Sequence, residues 1–367
     1  MVPKTRDEYQ KMKQMPVNEP VNAMLNRVAI IGMPNAGKST LTNQLIGWKV
    51  SPVSSKVHTT RQNVVGVFIE GSTQVEILDT PGLVTPQHCV KFNLEPTFIG
   101  DSSKSASTAD LIAVICDVSN RREREKLNRG ILNLLYKHHD KPSILILNKV
   151  DLIVAKRKLV GVIDTLTDDN LGKDFKSSIK RQYPIDERNY KSLFTKTEKL
   201  LKKGGEVELK SPEKIEKPNE DKKGWPYFSK VFLISALEGD GIDELRKYLV
   251  ETAKPNPWKY NEMVVTDQKP DKLAIGIIKE KFLDVYHDEI PYTVELKIDN
   301  WDIDQMGTLW IVVNVNCPKE RYIKMVIGPE GKYISKVANL ARMELSNTFH
   351  ADVSLKLIVR CIEKRKK

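Results

Sequence analysis

The eight residues from Gly32 to Ser39, GMPNAGKS, constrain this chain more than any other stretch. They follow the apolar run Val28-Ala29-Ile30-Ile31 and precede Thr40-Leu41-Thr42-Asn43-Gln44-Leu45. Strand, loop and helix thus succeed one another as the pattern GxxxxGK[ST] requires. Gly32 and Gly37 permit a tight turn that aims successive backbone N–H groups and a helix N-terminus at a phosphate. In that arrangement Lys38 reaches the β- and γ-phosphates, and Ser39 offers its hydroxyl to Mg²⁺, the expected cofactor. Pro34, Asn35, Ala36 and Thr40 complete the expected cradle. The motif alone specifies a nucleoside triphosphate but no base.

Further along, Val53 to Arg61 is polar and without period, at the position where a nucleotide switch reads the γ-phosphate. Thr60 is the expected ligand of phosphate and metal, with Thr59 as the alternative; His58 reads as a loop residue. The apolar strand Gln74–Leu78 then runs into Asp79-Thr80-Pro81-Gly82. This DxxG places Asp79 beside the metal through a water, and turns the Gly82 N–H towards the γ-phosphate. Lys38, Thr60, Asp79 and Gly82 therefore form the expected catalytic set. Leu83 follows where a glutamine orients the attacking water in Ras-like proteins, and a leucine can neither donate nor accept a hydrogen bond. Slow intrinsic hydrolysis is the expectation. Val84 to Ser107 reads as a second switch or an ordinary loop.

Ala109–Asp117 and Ser143–Leu147 are apolar runs typical of strands buried on both faces, and Arg124 to His138 between them has helical spacing. Alternating strands and helices predict a doubly wound α/β sheet, with ligands at the carboxyl ends of its strands. The second run ends in Asn148-Lys149-Val150-Asp151. The Asp151 carboxylate can accept from guanine N1–H and the 2-amino group, donors that adenine lacks on that edge. Lys149 would lie along the base and Asn148 would brace neighbouring loops. Together with the two earlier motifs, this order specifies GTP. Ser235-Ala236 after the strand Val231–Ile234 fits the remaining guanine contact.

The GTPase domain is expected over 27–252, interrupted by a charged, disordered insertion at about 170–224, with Trp225-Pro226-Tyr227-Phe228 marking the return to order. Residues 1–26 read as a tail, disordered or left by a removed presequence, and 253–269 as a linker. Among the 367 residues, 59 Lys and Arg exceed 48 Asp and Glu, a net charge of +11 that suggests a polyanionic partner. Four scattered cysteines indicate neither a zinc site nor a disulfide framework. No apolar run approaches the roughly 20 residues that span a bilayer.

Residues 270–367 read as a helix, a strand Tyr292–Ile298, a strand Leu309–Val315, then Gly328-Pro329-Glu330-Gly331 before an amphipathic helix Ile334–Leu345 and a last strand Asp352–Arg360. A GxxG in this setting is the clamp by which a KH domain brings its backbone close to four nucleotides. The order α-β-β-α-α-β matches the bacterial-type KH fold. Lys324, Ile327, Gly328, Pro329, Glu330, Gly331 and Lys332 are the candidate RNA-binding residues. Glu330 is unfavourable there, because a carboxylate repels phosphate.

A P-loop domain of guanine type followed by a KH domain resembles the Era family of GTPases, within the TrmE-Era class. GMPNAGKST, HTTRQ, DTPGL and NKVD carry the resemblance, and it continues through Val265-Thr266-Asp267, Ile277–Lys281, Glu289–Tyr292 and Met325–Gly328. The insertion and GWPYF are similar to the metazoan mitochondrial branch. The resemblance implies GTP hydrolysis, binding of small-subunit ribosomal RNA near its 3′ end, and assistance in assembling the small subunit from its precursor. It implies a mitochondrial matrix location, with a peripheral contact to the inner membrane left open. Two rival readings are a GTPase acting in RNA modification and a GTP-gated scaffold at a membrane surface.

Overall fold

The computed structural model describes residues 2–53, 64–80, 82, 97–169, 222–286 and 289–362. Thr59, Thr60, His58, Leu83 and nearly all of the insertion lie outside them. In the first half, β1 (Met24–Gly32), β2 (Val64–Glu70), β3 (Thr73–Asp79), β4 (Leu111–Asp117), β5 (Ser143–Asn148) and β6 (Phe228–Ile234) form a sheet in the order β2-β3-β1-β4-β5-β6. The strands run parallel except β2, which pairs antiparallel with β3. Every residue of β3, β4 and β5 is buried, which accounts for the apolar runs of β4 and β5, while β3 also buries Thr73, Gln74 and Glu76.

Helices cover both faces. One core packs α3 (Thr97–Thr108), α5 (Arg129–Lys137) and α6 (Lys158–Leu166) on the sheet; the other packs α2 (Lys38–Ile46) and α7 (Ile242–Glu251). The sheet is therefore doubly wound, as the alternation implied. The helix expected over 124–138 is split into α4 (Arg121–Glu125) and α5. Asn128 causes the break, since its side chain accepts from Gly130 N–H and caps the second segment. Register brings Asp79 beside Ile30, and Asp117 beside Asn148, so the functional residues collect along one edge.

In the second half, α8 (Pro270–Val285), β8 (Glu295–Ile303), β9 (Leu309–Cys317), α10 (Glu320–Ile327), α11 (Lys332–Phe349) and β10 (Val353–Cys361) give the α-β-β-α-α-β order, with β9 central. A one-turn helix α9 (Ile290–Thr293) replaces the start of the strand expected from Tyr292, because Pro291 favours a first helical turn. Leu273, Ile277, Ile278 and Phe282 of α8 are fully buried, each contributing about 1.5–3 kcal/mol of transfer free energy.

The segments expected as tail and linker are tied down. Val2 is buried in the second core, Trp301 Nε1 donates to the Lys4 carbonyl at 2.8 Å, and α1 (Arg6–Gln14) lies against α8 through Arg6–Asp271 at 3.0 Å. Gln74 binds the linker by accepting from the N–H groups of Lys259 and Tyr260, while Val67 N–H donates to Val265. A two-residue strand β7 (Lys254–Pro255) extends the first sheet beside β1. No helix among the described residues is long and apolar enough to cross a membrane.

After the insertion, Trp225 is 2% exposed, donates to Ser143 Oγ at 3.1 Å and meets the Tyr136 and Tyr227 rings edge-on. Trp225→Ala is expected to lower unfolding stability by about 3–5 kcal/mol in urea titration, with Trp225→Phe losing less.

Candidate nucleotide site and second-domain turn

The carboxyl ends of β1, β4, β5 and β6 surround a cavity of about 570 Å³. Pro34, Asn35, Gly37, Lys38, Ser39 and Thr40 line one wall, Gly82 closes in beside them, and Asn148, Lys149, Asp151, Ser235 and Ala236 line the other. Of the residues expected to contact GTP, Gly32, Ala36 and Asp79 sit behind this lining. Gly32 is required by close packing, since a side chain there would begin 2.5 Å from the Ile115 carbonyl oxygen. Gly37 takes φ +95°, a left-handed conformation suited to glycine, at the start of α2. Gly82 lies against Pro34, whose backbone stands 2.8 Å from where a Cβ would be.

Asn148 braces the loops through both ends of its amide. Nδ2 donates to the Ala36 carbonyl at 2.8 Å, and Oδ1 accepts from Ala236 N–H at 2.9 Å. Ser235 N–H donates to the Asp240 carbonyl, and its hydroxyl accepts from Glu238 N–H. Lys149 has φ +66° and its ammonium meets Asp117 Oδ2 at 2.6 Å, which fixes the direction of its stem. Asp151 is exposed within the one-turn segment Val150–Leu152, at the cavity rim.

Lys38 is buried and its Nζ donates to the carbonyls of Gly32 at 3.2 Å and Met33 at 2.8 Å. Desolvation pulls its ammonium down to about 8, against the pull of the Asp79 and Glu123 charges. Asp79 is fully buried, and one oxygen accepts from Ser39 Oγ at 2.8 Å and Ser51 Oγ at 2.6 Å. Burial raises its carboxyl, with both hydroxyls and Lys38 opposing. Its other oxygen, Oδ1, is buried and has no hydrogen-bond partner among the described residues. A free carboxylate oxygen beside a serine hydroxyl fits a hard cation with oxygen ligands, and Mg²⁺ fits that donor set.

Sequence reasoning missed Ser51, Asp117, Asn120 and Glu123. Asp117 was discoverable as the last residue of a buried strand, on the side where ligands gather. Glu123 lies nearby: its carboxylate accepts from Asp117 N–H at 3.0 Å and Asn120 Nδ2 at 3.2 Å, and burial raises its carboxyl. Ser51 carries no local signal. Leu152 and Leu237 flank the rim beside Asp151 and Ala236, both largely exposed, and offer apolar contact for a base.

In the second half, Gly328 to Gly331 joins α10 to α11. Gly328 has φ +71° and faces the Tyr333 ring, where a Cβ would stand 2.5 Å from a ring carbon. Gly331 has φ +76° and donates its N–H to the Gly328 carbonyl at 3.2 Å, closing a tight turn just before α11. Glu330 also adopts a left-handed conformation, at φ +53°. Lys324, Pro329, Glu330 and Lys332 are exposed, whereas Ile327 is half-buried beneath them.

Two outcomes follow from the nucleotide cavity. Asp151→Asn should move preference from GTP to XTP in a competition assay, because an amide presents one donor and one acceptor to xanthine's 2-oxo and N1–H groups. For Lys38, triphosphate charge favours the protonated amine, so the pKa rises on binding and a proton is taken up. GTP affinity should therefore fall as pH rises above about 8, approaching tenfold per pH unit. Calorimetry at pH 8.5 in buffers of different ionisation enthalpy reads this uptake, and Lys38→Ala should abolish it.

A model of the family described as 50S ribosome-binding GTPase matches residues 27–149. Mitochondrial GTPase Era from Salmo salar is 38% identical, the match covering 94% of this chain and 78% of the relative. GTPase Era from Brucella suis biovar 1 is 31% identical, with 92% and 88% covered. A crystal structure of Era in complex with MgGDPNP and nucleotides 1506–1542 of 16S ribosomal RNA matches with a TM-score of 0.66 at 25% identity, over 93% of this chain and 95% of that one. With the P-loop, Asp79 and Asn148 assembled at one sheet edge and such relatives matching nearly end to end, the chain belongs to the Era family of GTPases and hydrolyses GTP.

Proposed function

We propose that this GTPase uses Mg²⁺, acts in mitochondria, binds small-subunit ribosomal RNA near its 3′ end and assists assembly of the small ribosomal subunit in the matrix. The carrying observation is the tight Gly328–Gly331 turn at the start of α11, within a chain that matches an RNA-bound Era structure across both halves. The turn exposes backbone and the N-terminal end of an 18-residue helix, a combination that favours phosphate. Relatives named as mitochondrial GTPase Era in Salmo salar, Danio rerio and Caenorhabditis elegans support the location.

In the cycle proposed, Lys38 and the P-loop hold the phosphates, Ser39 and Asp79 hold the cation, and Asp151 selects guanine. When bound, Mg²⁺ would offset charge on the β- and γ-phosphates. The RNA grip belongs to the GTP form and is released after hydrolysis. Crosslinking in mitochondria followed by sequencing should enrich the 3′ end of the small-subunit ribosomal RNA; recovery of no such RNA overturns the proposal.

The residues of the turn make a separate prediction. Alanine at Lys324 or Lys332 should weaken RNA binding and reduce the slope of log K against log salt by about 0.7 for each lysine that meets a phosphate. Glu330→Gln should strengthen binding, since it removes the repelling charge without altering side-chain length.

A further inference from the structure

Glu280 is a carboxylate on α8 of the second half, 3% exposed, that the nucleotide chemistry described above does not use. One oxygen is shared by the ammonium groups of Lys49 and Lys281, each at 2.8 Å. The other oxygen accepts from the backbone N–H of Val53 at 2.7 Å. Val53 itself lines the nucleotide cavity. Only two residues earlier, Ser51 places its hydroxyl 2.6 Å from Asp79. A buried carboxylate of one half thus grips the short segment that touches the metal-side carboxylate of the other.

The remaining contacts hold that segment along its length. Trp48 Nε1 donates to the Thr348 carbonyl of α11 at 2.9 Å, and its ring meets His350 edge-on at 4.3 Å. Asn43 Oδ1 accepts from the N–H groups of Val50 and Ser51, and its Nδ2 returns a hydrogen bond to the Ser51 carbonyl. Pro52 packs on Gly276, one helical turn before Glu280 on the same face of α8. With Asn43 anchoring one end and Glu280 the other, Ser51 has little freedom to leave Asp79.

We propose that Glu280 is a positioning residue of the GTPase site: through Val53 it sets Ser51 on Asp79, so that the second half of the chain completes the nucleotide site of the first. The carboxylate suits this task because it binds the N–H at one oxygen while two lysines neutralise the other. Glu344 supplies the contrast. It pairs with the same lysines, Lys49 at 3.0 Å and Lys281 at 3.3 Å, and belongs to the same inter-domain charge cluster. Among the described residues its carboxylate makes no hydrogen bond to Val53.

The inference rests on GTPase family membership and is independent of the ribosomal reading, so absent RNA crosslinks leave it standing. The test measures retention of fluorescent GDP by the full chain as Mg²⁺ is varied. Glu280→Ala and Ser51→Ala should each shift the Mg²⁺ midpoint on the order of tenfold, the scale on which groups that orient metal ligands act. The double variant should shift it no further than either single change. Glu344→Gln should respond as wild type. Multiplying effects in the double variant, a wild-type response from folded Glu280→Ala, or an equal shift in Glu344→Gln would overturn the assignment. Should Glu280→Ala fail to fold, Glu280→Gln decides: its amide oxygen can still accept from Val53 while surrendering both ion pairs. A preserved Mg²⁺ midpoint then supports positioning through the N–H, and a tenfold shift refutes it.

Discussion

The side-chain amide of Asn148 is the interaction on which the nucleotide site depends. It joins a carbonyl of the P-loop to an N–H of the loop after β6, spanning the sheet edge with two short hydrogen bonds. Both partners are buried, so losing either bond would leave a desolvated polar group costing about 1–3 kcal/mol. An aspartate could not donate, and a leucine could do neither. The amide works because β5 carries it two residues past the level where β1 ends, a consequence of parallel register rather than of the tetrapeptide around it.

Charge is managed at the same edge by burial. Lys38 and Asp79 are both withdrawn from water, which lowers the amine and raises the carboxyl, so the charged form of each costs more here than in water. Triphosphate favours the ammonium of Lys38, and a cation favours the carboxylate of Asp79.

Much of this was legible beforehand because each nucleotide motif is local. The glycines of GMPNAGKS, the strand ending at Asp79 and the strand ending at Asn148 each carry their own period and their own breaker. The doubly wound sheet followed from alternation, and the second half from the order of its elements around GPEG. Less legible were features set by caps and distant contacts. Asn128 divides a helix that apolar spacing alone would run through, and Pro291 favours a helical turn that takes the first two residues of an expected strand. Lys4 and Trp301 likewise show no sign of each other in sequence, yet the N-terminal segment packs on the second half, with Val2 in its core and the Lys4 carbonyl accepting from Trp301.

By itself the sequence determined the P-loop, the aspartate at the end of a strand and a two-glycine turn at a helix start, since each needs only neighbouring residues and a backbone period. Tertiary structure alone decided how the halves are joined. Val53 opens the expected switch and Glu280 lies in a stretch that carries the family resemblance, yet nothing in the spacing of Lys49, Ser51, Val53, Glu280 and Glu344 marks them as partners. They acquire a role because packing α8 against the segment after α2 buries a carboxylate that, among the described residues, two lysines and a backbone N–H satisfy.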